Sequence, residues 1–181
     1  MRLLQLNKQS KSEIELVNGC KQNERKMQKC LFDRYKNAMY TAALRITGNS
    51  DIAHDALQEA FIDVFESIGD FRFESSLGTW IKTIVIRKSL RKLKSERHFE
   101  PIEEADKLEV EDRDLEFTAE ELEKAIHSLP DSAKTIFLLI EVEGYKHQEA
   151  AEILGISVGT TKSQLNYSKK LLRKRLYEKI R

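Results

Sequence analysis

The chain has 181 residues, of which 40% are hydrophobic and 34% charged, and its 31 basic side chains nearly balance its 30 acidic ones to leave a formal charge of +1. This balance argues against a strongly basic, free-standing nucleic-acid binder. The chain has only 7 glycines and 2 prolines, which argues against collagen-like, low-complexity and loop-rich β-sandwich proteins. The composition predicts a mostly helical protein.

The start of the chain and its cysteines argue against two further classes. Residues 1–8 carry no sustained hydrophobic region, and the longest apolar run, 136–140, is far shorter than the roughly 20 residues that a bilayer requires. We therefore expect a cytoplasmic protein without membrane insertion. Cys20 and Cys30 form no Cys-x-x-Cys pair and the histidines are scattered, so we expect reduced thiols, no metal site and no cofactor.

The near-neutral total hides three charged blocks. Residues 82–98 carry a net charge of +6, residues 99–125 carry −9, and residues 162–181 carry +7. An acidic block between two basic ones indicates a linker between two modules. We expect a polar N-terminal extension without a motif over 1–26, a first domain over 27–97, the linker over 98–117, and a second domain over 118–181.

Apolar residues at helical spacing predict three helices in the first domain. The inward residues of the first are Met27, Leu31, Tyr35, Ala38, Ala42 and Ile46, and Gly48-Asn49-Ser50 ends that helix and caps the next. The second helix, over about 51–68, has a wide apolar stripe formed by Ala53, Leu57, Ala60, Phe61, Val64, Phe65 and Ile68. After a loop over 69–78, a third helix begins near Thr79, with Trp80, Ile81, Ile84 and Val85 facing inward.

The second domain ends in a pattern typical of a helix-turn-helix. A short helix stops at Pro130, and another helix covers about 133–141. Gly155 then suits a left-handed turn, and Ser157 can cap a final helix. The inward side of that helix consists of Thr161, Leu165, Ser168, Leu172 and Leu176.

The opposite side of the final helix mixes phosphate-binding cations with amide and hydroxyl groups that can address base edges. Its residues are Thr160, Lys162, Ser163, Asn166, Tyr167, Lys170 and Lys174. We expect the first turn, 159–161, to present free backbone N–H groups to a phosphate. We interpret this helix as a major-groove recognition helix, and the alternative is an ordinary solvated amphipathic helix.

Residues 27–176 resemble the extracytoplasmic-function (ECF) subfamily of the sigma-70 family of bacterial RNA polymerase sigma factors. The resemblance rests on four motifs in order: DALQEAFIDVF at 55–65, FRFESSLGTWI at 71–81, Leu129-Pro130, and GISVGTTKS at 155–163. It implies an all-α fold of two small helical domains, a sigma region 2 bundle and a sigma region 4 helix-turn-helix domain, joined by the acidic flexible linker.

The resemblance implies contacts with core RNA polymerase, at the clamp of its largest subunit and the flap of its second-largest subunit. The clamp contact would use the outer face of the second helix, at Asp55, Gln58, Glu59 and Ile62. These residues share one i, i+3, i+4, i+7 stripe, which suits a polar helix that meets basic groups. The alternative is a solvated face.

The resemblance also assigns the minus-ten promoter element to the loop after the second helix and to the basic helix that follows, with the loop capturing a base flipped from the melted strand. Aromatic rings such as Phe71 or Phe73 can stack on such a base, although Phe71 and Trp80 are equally interpreted as core anchors. The candidates are Arg72, Glu74, Ser75 and Ser76 in the loop, and Lys82, Arg87, Lys88 and Arg91 in the helix. Arg87 stands where Asn is usual in the family, and Arg91 stands where Asp or another polar residue is common. Both departures add positive charge.

The minus-thirty-five element is assigned in the same way to the final helix. The positions concerned are Gly159, Thr160, Lys162, Ser163, Asn166, Tyr167 and Lys170, and Lys169 is a further candidate for phosphate contact. Lys146 stands where Ser or Thr commonly caps the first helix of the motif, so we expect Glu149 to lose its capping-box partner.

The sequence therefore predicts an ECF sigma factor that directs promoter recognition, promoter melting and transcription initiation, with promoter DNA, core polymerase and an anti-sigma factor as partners. The alternative is a stand-alone helix-turn-helix transcriptional regulator, a class that lacks the N-terminal motifs. The chain has no Gly-rich phosphate loop or nucleophile elbow, so we expect no enzyme. The acidic residues over 100–116 are interpreted as a solvated tether, or as a polyanion that shields the basic blocks.

Overall fold

The computed structural model describes residues 12–96 and 117–179. Those residues form helices and loops without a β-strand, which confirms the all-α prediction. The chain divides into two compact units, Met1–Lys92 and Leu93–Arg181. Residues 98–116, most of the expected linker, lie outside the described residues. No helix in the described ranges is long and apolar enough to cross a membrane.

The first unit begins with a helix that the sequence analysis did not identify. Helix α1 spans Glu13–Lys21, and its first turn is closed by a capping box in which Ser12 and Glu15 exchange hydrogen bonds. Leu16, Val17 and Cys20 of α1 are fully or almost fully buried. Residues 13–21 are therefore part of the folded unit and not a polar extension.

Helices α2 (Arg25–Thr47) and α3 (Ser50–Ser67) form an antiparallel pair joined by a short turn. Asn49 caps α3, because its side-chain oxygen accepts hydrogen bonds from the N–H groups of Asp51 and Ile52 at 2.8 and 3.1 Å. The inward face of α2 was predicted correctly except at Ala38, which is exposed, while the neighbouring Met39 is buried. A longer side chain fills the core at that turn of the helix.

Helix α4 (Leu77–Glu96) follows a single 3₁₀ turn, Ile68–Asp70, and the loop 71–76. The core of the first unit is one continuous apolar cluster to which α1, α2, α3, α4 and the loop all contribute. Phe71 and Ile81 are buried in it, and Trp80 packs against it. The interpretation of Phe71 and Trp80 as core anchors is confirmed.

The second unit begins with α5 (Ala119–His127), which Thr118 caps, and α6 (Asp131–Phe137), which follows Pro130. The helix expected over 133–141 changes character at Leu138. Residues Leu138–Val142 form a π-helical turn, in which the Glu143 N–H donates to the Leu138 carbonyl oxygen at 2.9 Å. Such a widened turn is poorly encoded by local hydrophobic spacing.

The helix-turn-helix consists of α7 (His147–Leu154) and α8 (Val158–Lys179). Gly155 lies between them with a φ of 69°, a left-handed conformation that glycine adopts without strain. All five residues predicted to face inward on α8 are buried. The two helices and the turn are therefore where the sequence placed them.

We predict that Leu16→Ala lowers the free energy of unfolding by about 2–5 kcal/mol, because the truncation leaves a cavity in a fully buried site. Ile14→Ala is the matched control on the same helix. The Ile14 side chain is 60% exposed, so its truncation should change stability by less than about 0.5 kcal/mol. Urea denaturation followed by circular dichroism measures both, and an equally small effect at both sites would contradict the place given to α1.

Candidate nucleic-acid interface

The outer face of α3 carries the four residues predicted to meet core polymerase. Ile62 is 57% exposed, Asp55 and Gln58 are exposed, and Glu59 is half-buried. The opposite face of α3, which includes Ala56, Ala60 and Val64, is fully buried. The fold thus presents Asp55, Gln58, Glu59 and Ile62 together on one side of a helix, which we call the α3 stripe.

Two lysines of α4 form ion pairs with carboxylates on this side of α3. Lys88 Nζ lies 2.7 Å from Asp63 and 3.8 Å from Glu59, and Lys92 Nζ lies 2.5 Å from Glu59 and 4.0 Å from Asp55. The lysine side chains are only 16% and 25% exposed. Each partly exposed pair contributes at most about 1 kcal/mol, and together the pairs place the Glu59 carboxylate between two ammonium groups.

The ion pairs divide the basic residues of α4 between two faces. Arg87 and Arg91, one turn apart, are exposed to solvent, whereas Lys88 and Lys92 face α3. Lys82, near the start of α4, is half-buried. The structure therefore separates Lys88 from the arginines with which the sequence analysis grouped it.

The loop 71–76 packs around a cluster of three aromatic side chains, Phe71 and Phe73 of the loop and Trp80 of α4. The Phe71 ring centroid lies 4.7 Å from that of Phe73 and 5.1 Å from that of Trp80. Phe71 is buried, but Phe73 is 46% exposed and has a φ of 60°. A left-handed backbone is uncommon for a bulky residue and is often found at functional sites. The loop thus holds one ring in the core and turns the next one outward.

An open pocket of about 290 Å³ lies beside the rings of Phe71 and Trp80. It is lined by Asp70, Phe71, Arg72, Glu74, Ser75 and Trp80. Arg72, Glu74 and Ser75 belong to the predicted loop set, so the structure brings these three to one concave site. A cation, a carboxylate and a hydroxyl beside aromatic faces suit an unpaired nucleobase.

Ser76, the fourth predicted loop residue, has a different place. Its Oγ accepts a hydrogen bond from the Thr79 N–H at 3.1 Å and lies 2.8 Å from the Thr79 hydroxyl. This is the arrangement of a helix cap, so the Ser76 side chain stabilises the first turn of α4.

The exposed side of α8 carries the predicted recognition residues. Gly159, Lys162, Ser163 and Asn166 are exposed, and the other three, Thr160, Tyr167 and Lys170, are half-buried. Lys169 is engaged elsewhere, because its Nζ lies 2.8 Å from a carboxylate oxygen of Glu141. That ion pair connects α8 to the π-helical turn.

The first turn of α8 differs from the prediction of free N–H groups. The Thr160 N–H donates to Ser157 Oγ at 2.9 Å, and the Thr161 N–H donates to the Ser157 carbonyl at 3.1 Å. Two of the three N–H groups expected to meet a phosphate are thus already bonded. Ser157 satisfies the helix terminus from within the chain.

Two contacts position α7 against α8. The Glu149 carboxylate accepts a hydrogen bond from the Lys146 N–H at 2.7 Å, so half of the capping box forms although Lys146 cannot return it. His147 Nδ1 lies 3.1 Å from Thr161 Oγ1, whose hydroxyl donates to the Val158 carbonyl at 2.8 Å. This role of His147 was not predicted from the sequence, because a single histidine carries no local signal for a partner in the next helix.

Comparison with known proteins identifies both units. Residues 31–99 match the family model described as Sigma-70 region 2, and residues 119–172 match the model described as Sigma-70, region 4. The ECF RNA polymerase sigma factor EcfG of Rhodopseudomonas palustris is 31% identical over 146 residues, which cover 75% of this chain and 77% of that protein. The chain belongs to the ECF sigma factors of the sigma-70 family. The ECF RNA polymerase sigma-E factor of Haemophilus influenzae is 29% identical over 177 residues, covering 89% of this chain and 93% of that protein.

Two solved structures share the fold of this sigma factor. The sigma factor RpoE of Bartonella quintana, in complex with the anti-sigma factor NepR, aligns with a TM-score of 0.57 at 20% identity, over 82% of this chain and 96% of that one. CnrH, in complex with the cytosolic domain of CnrY, aligns with a TM-score of 0.52 at 17% identity, over 92% of this chain and 95% of that one. Helix α1 of this sigma factor precedes the residues matched by the region 2 model.

For this sigma factor we predict that Ser157→Ala lowers the unfolding free energy of the second unit by about 1 kcal/mol, because the Thr160 N–H loses its acceptor. Ser163→Ala on the same helix is the control, since Ser163 is exposed and its hydroxyl bonds only to the Thr160 carbonyl of its own turn. Its effect should stay within about 0.5 kcal/mol in thermal and urea denaturation. Equal losses for both variants would contradict the capping role.

Proposed function

We propose that this sigma factor acts in the cytoplasm as a dissociable, non-catalytic subunit that binds core RNA polymerase, directs it to promoters and helps to open the DNA. The observation that carries the proposal is the presence of a region 2 unit and a region 4 unit in one chain, each of which exposes several of its predicted recognition residues. A stand-alone regulator needs the helix-turn-helix but not region 2. Catalysis belongs to the polymerase.

The α3 stripe is the proposed contact with the clamp of the largest subunit. It combines the exposed apolar side chain of Ile62 with the carboxylates of Asp55 and Glu59. A basic polymerase surface would compete with Lys92 for these carboxylates, because both carboxylates already lie near its ammonium group. Binding there therefore replaces an ion pair within the protein by an ion pair with the polymerase. Such an exchange adds little affinity, so the contact contributes mainly to specificity, through the arrangement of the charged groups.

The pocket beside the loop 71–76 is the proposed site for a base flipped from the minus-ten element. Phe73 offers an exposed aromatic face, and Arg72, Glu74 and Ser75 line the pocket with groups that can bond a base edge or a phosphate. On α4, the exposed Arg87 and Arg91 are the proposed phosphate contacts. The ion pairs of Lys88 weigh against the same role for that residue in the free protein.

The exposed side of α8 is the proposed reader of the minus-thirty-five element. Asn166 and Ser163 can hydrogen-bond to base edges in the major groove, and Lys162 can contact a phosphate. Tyr167 and Lys170 flank them on the same side, and Gly159 and Thr160 lie at the end of the helix nearest to the turn.

The remaining proposed partners are the polymerase flap, for the second unit, and an anti-sigma factor. The two solved structures named above each contain a bound protein, and in one of them that protein is an anti-sigma factor. We extend this kind of partner to the present chain on the shared fold and family.

Run-off transcription with purified core polymerase and genomic DNA fragments of the source bacterium tests the proposal. We expect stable core binding and new, promoter-dependent transcripts that appear only when the protein is added. Tight promoter binding by the protein alone, without any effect on core polymerase, would instead identify a stand-alone regulator and overturn the proposal.

The two faces of α4 lead to a second prediction. Arg87→Met should weaken promoter binding by the holoenzyme and reduce the slope of log affinity against log salt concentration by about 1, because one phosphate contact is lost. Lys88→Met should leave the slope unchanged, because Lys88 is held by Asp63 and Glu59. Fluorescence anisotropy over a salt series measures both. A slope reduced to the same extent in both variants would show that Lys88 also reaches the DNA, and an unchanged slope in Arg87→Met would contradict the phosphate contact at Arg87.

A further inference from the structure

Helix α1 contacts both ends of the loop 71–76, although it precedes the residues that match region 2. Glu13 lies at its first residue and Lys21 at its last. Leu16 and Cys20, which are buried between them, fix the helix against the core. The two charged ends of α1 are therefore held in place by apolar packing.

Glu13 bonds to the end of the loop where α4 begins. One carboxylate oxygen of Glu13 accepts a hydrogen bond from the Tyr35 hydroxyl at 2.8 Å, and the other accepts from the Leu77 N–H at 3.4 Å. Leu77 is the first residue of α4. The N–H groups of a first turn need acceptors, and a carboxylate is favoured there by the helix dipole. Glu13 supplies such an acceptor from a helix 64 residues away in the chain.

Tyr35 brings α2 into the same contact. A Cβ atom at Gly78 would lie 3.1 Å from Tyr35 Cε1, so the absence of a side chain lets the ring approach α4 closely. Burial raises the pKa of Tyr35 to about 12, reinforced by the hydrogen bond to Glu13 and by its negative charge, and opposed by Arg34. The Glu13–Tyr35 pair thus lies against the first turn of α4.

Lys21 acts at the other end of the loop. Its Nζ donates a hydrogen bond to the Phe71 carbonyl oxygen at 3.5 Å. The Phe71 ring contacts the rings of both Phe73 and Trp80. A contact to the Phe71 backbone therefore lies at the residue that joins this aromatic cluster.

We propose that α1 positions the loop 71–76 for capture of a base, with Glu13 and Lys21 as positioning residues at its two ends. The proposal rests on the proposed function of the loop as the minus-ten base site. It assigns to residues before region 2 a share in promoter specificity, exerted without contact with DNA.

Glu13→Gln tests the proposal. An amide offers one acceptor oxygen where the carboxylate offers two, so the variant cannot accept from both Tyr35 and Leu77 through separate oxygens. Glu15→Gln is the matched control, because it makes the same change on the same helix, and glutamine still serves the capping box with Ser12. Lys21→Met, which keeps the aliphatic stem, tests the other end.

The first measurement is amide hydrogen exchange of the free protein, which needs no DNA. We expect exchange in the loop and the first turn of α4 to accelerate by about threefold or more in Glu13→Gln and to stay at the wild-type rate in Glu15→Gln. The absorbance of tyrosinate gives a second check, because loss of the Glu13 charge should lower the pKa of Tyr35 from about 12. Unchanged exchange in Glu13→Gln would overturn the proposal.

The second measurement uses holoenzyme and a promoter found by run-off transcription. Replacing the captured base by an abasic site should weaken promoter binding by the wild-type and Glu15→Gln holoenzymes. The same replacement should weaken promoter binding by the Glu13→Gln and Lys21→Met holoenzymes by a smaller factor. If a variant melts at a lower temperature but loses as much promoter binding at the abasic site as the wild type does, the residue has a structural role only and the proposal is overturned. If the abasic site leaves promoter binding by the wild-type holoenzyme unchanged, the proposed function of the loop is wrong. Hydrogen exchange still shows in that case whether α1 positions the loop.

Discussion

The apolar core shared by α1, α2, α3, α4 and the loop 71–76 decides which side chains of the first unit remain for recognition. Burial of one face of α3 leaves the α3 stripe as its outer face, and burial of Phe71 turns Phe73 outward. Burial of apolar area is the main stabilising contribution in a unit of this size, so the proposed recognition residues are positioned by the core beneath them.

Ion pairs connect two surfaces of the first unit that have different proposed partners, the polymerase for α3 and DNA for α4. Glu59 and Asp63 on α3 hold Lys88, and Glu59 also holds Lys92, so the proposed polymerase surface and the proposed DNA helix share one set of ion pairs. A mutation in one surface therefore affects the other. Double-mutant cycles between α3 and α4 are the appropriate way to separate the two contributions.

In the second unit, local contacts at the helix ends accompany long-range packing of α8 against α5 and α6. Ser157 caps the helix that begins next to it, and His147 at the start of α7 contacts Thr161 in the first turn of α8. The exposed face of α8 follows from the buried one by helical periodicity alone. This is why α8 and its buried face could be predicted from the sequence. The prediction of free N–H groups in its first turn was wrong, because those groups depend on where the Ser157 side chain points.

Most of the helices, the charged blocks, the helix-turn-helix and the family could be predicted from the sequence, because helical spacing, caps and short motifs lie within a few residues of one another. Helix α1 was not predicted, although it carries a local signal, the Ser12-x-x-Glu15 capping box followed by apolar residues. The contacts of Glu13 with Leu77 and of Lys88 with Asp63, and the outward position of Phe73, became apparent only in the folded structure. The two contacts join residues that are distant in sequence, and a charged residue carries no local pattern that predicts a partner far along the chain.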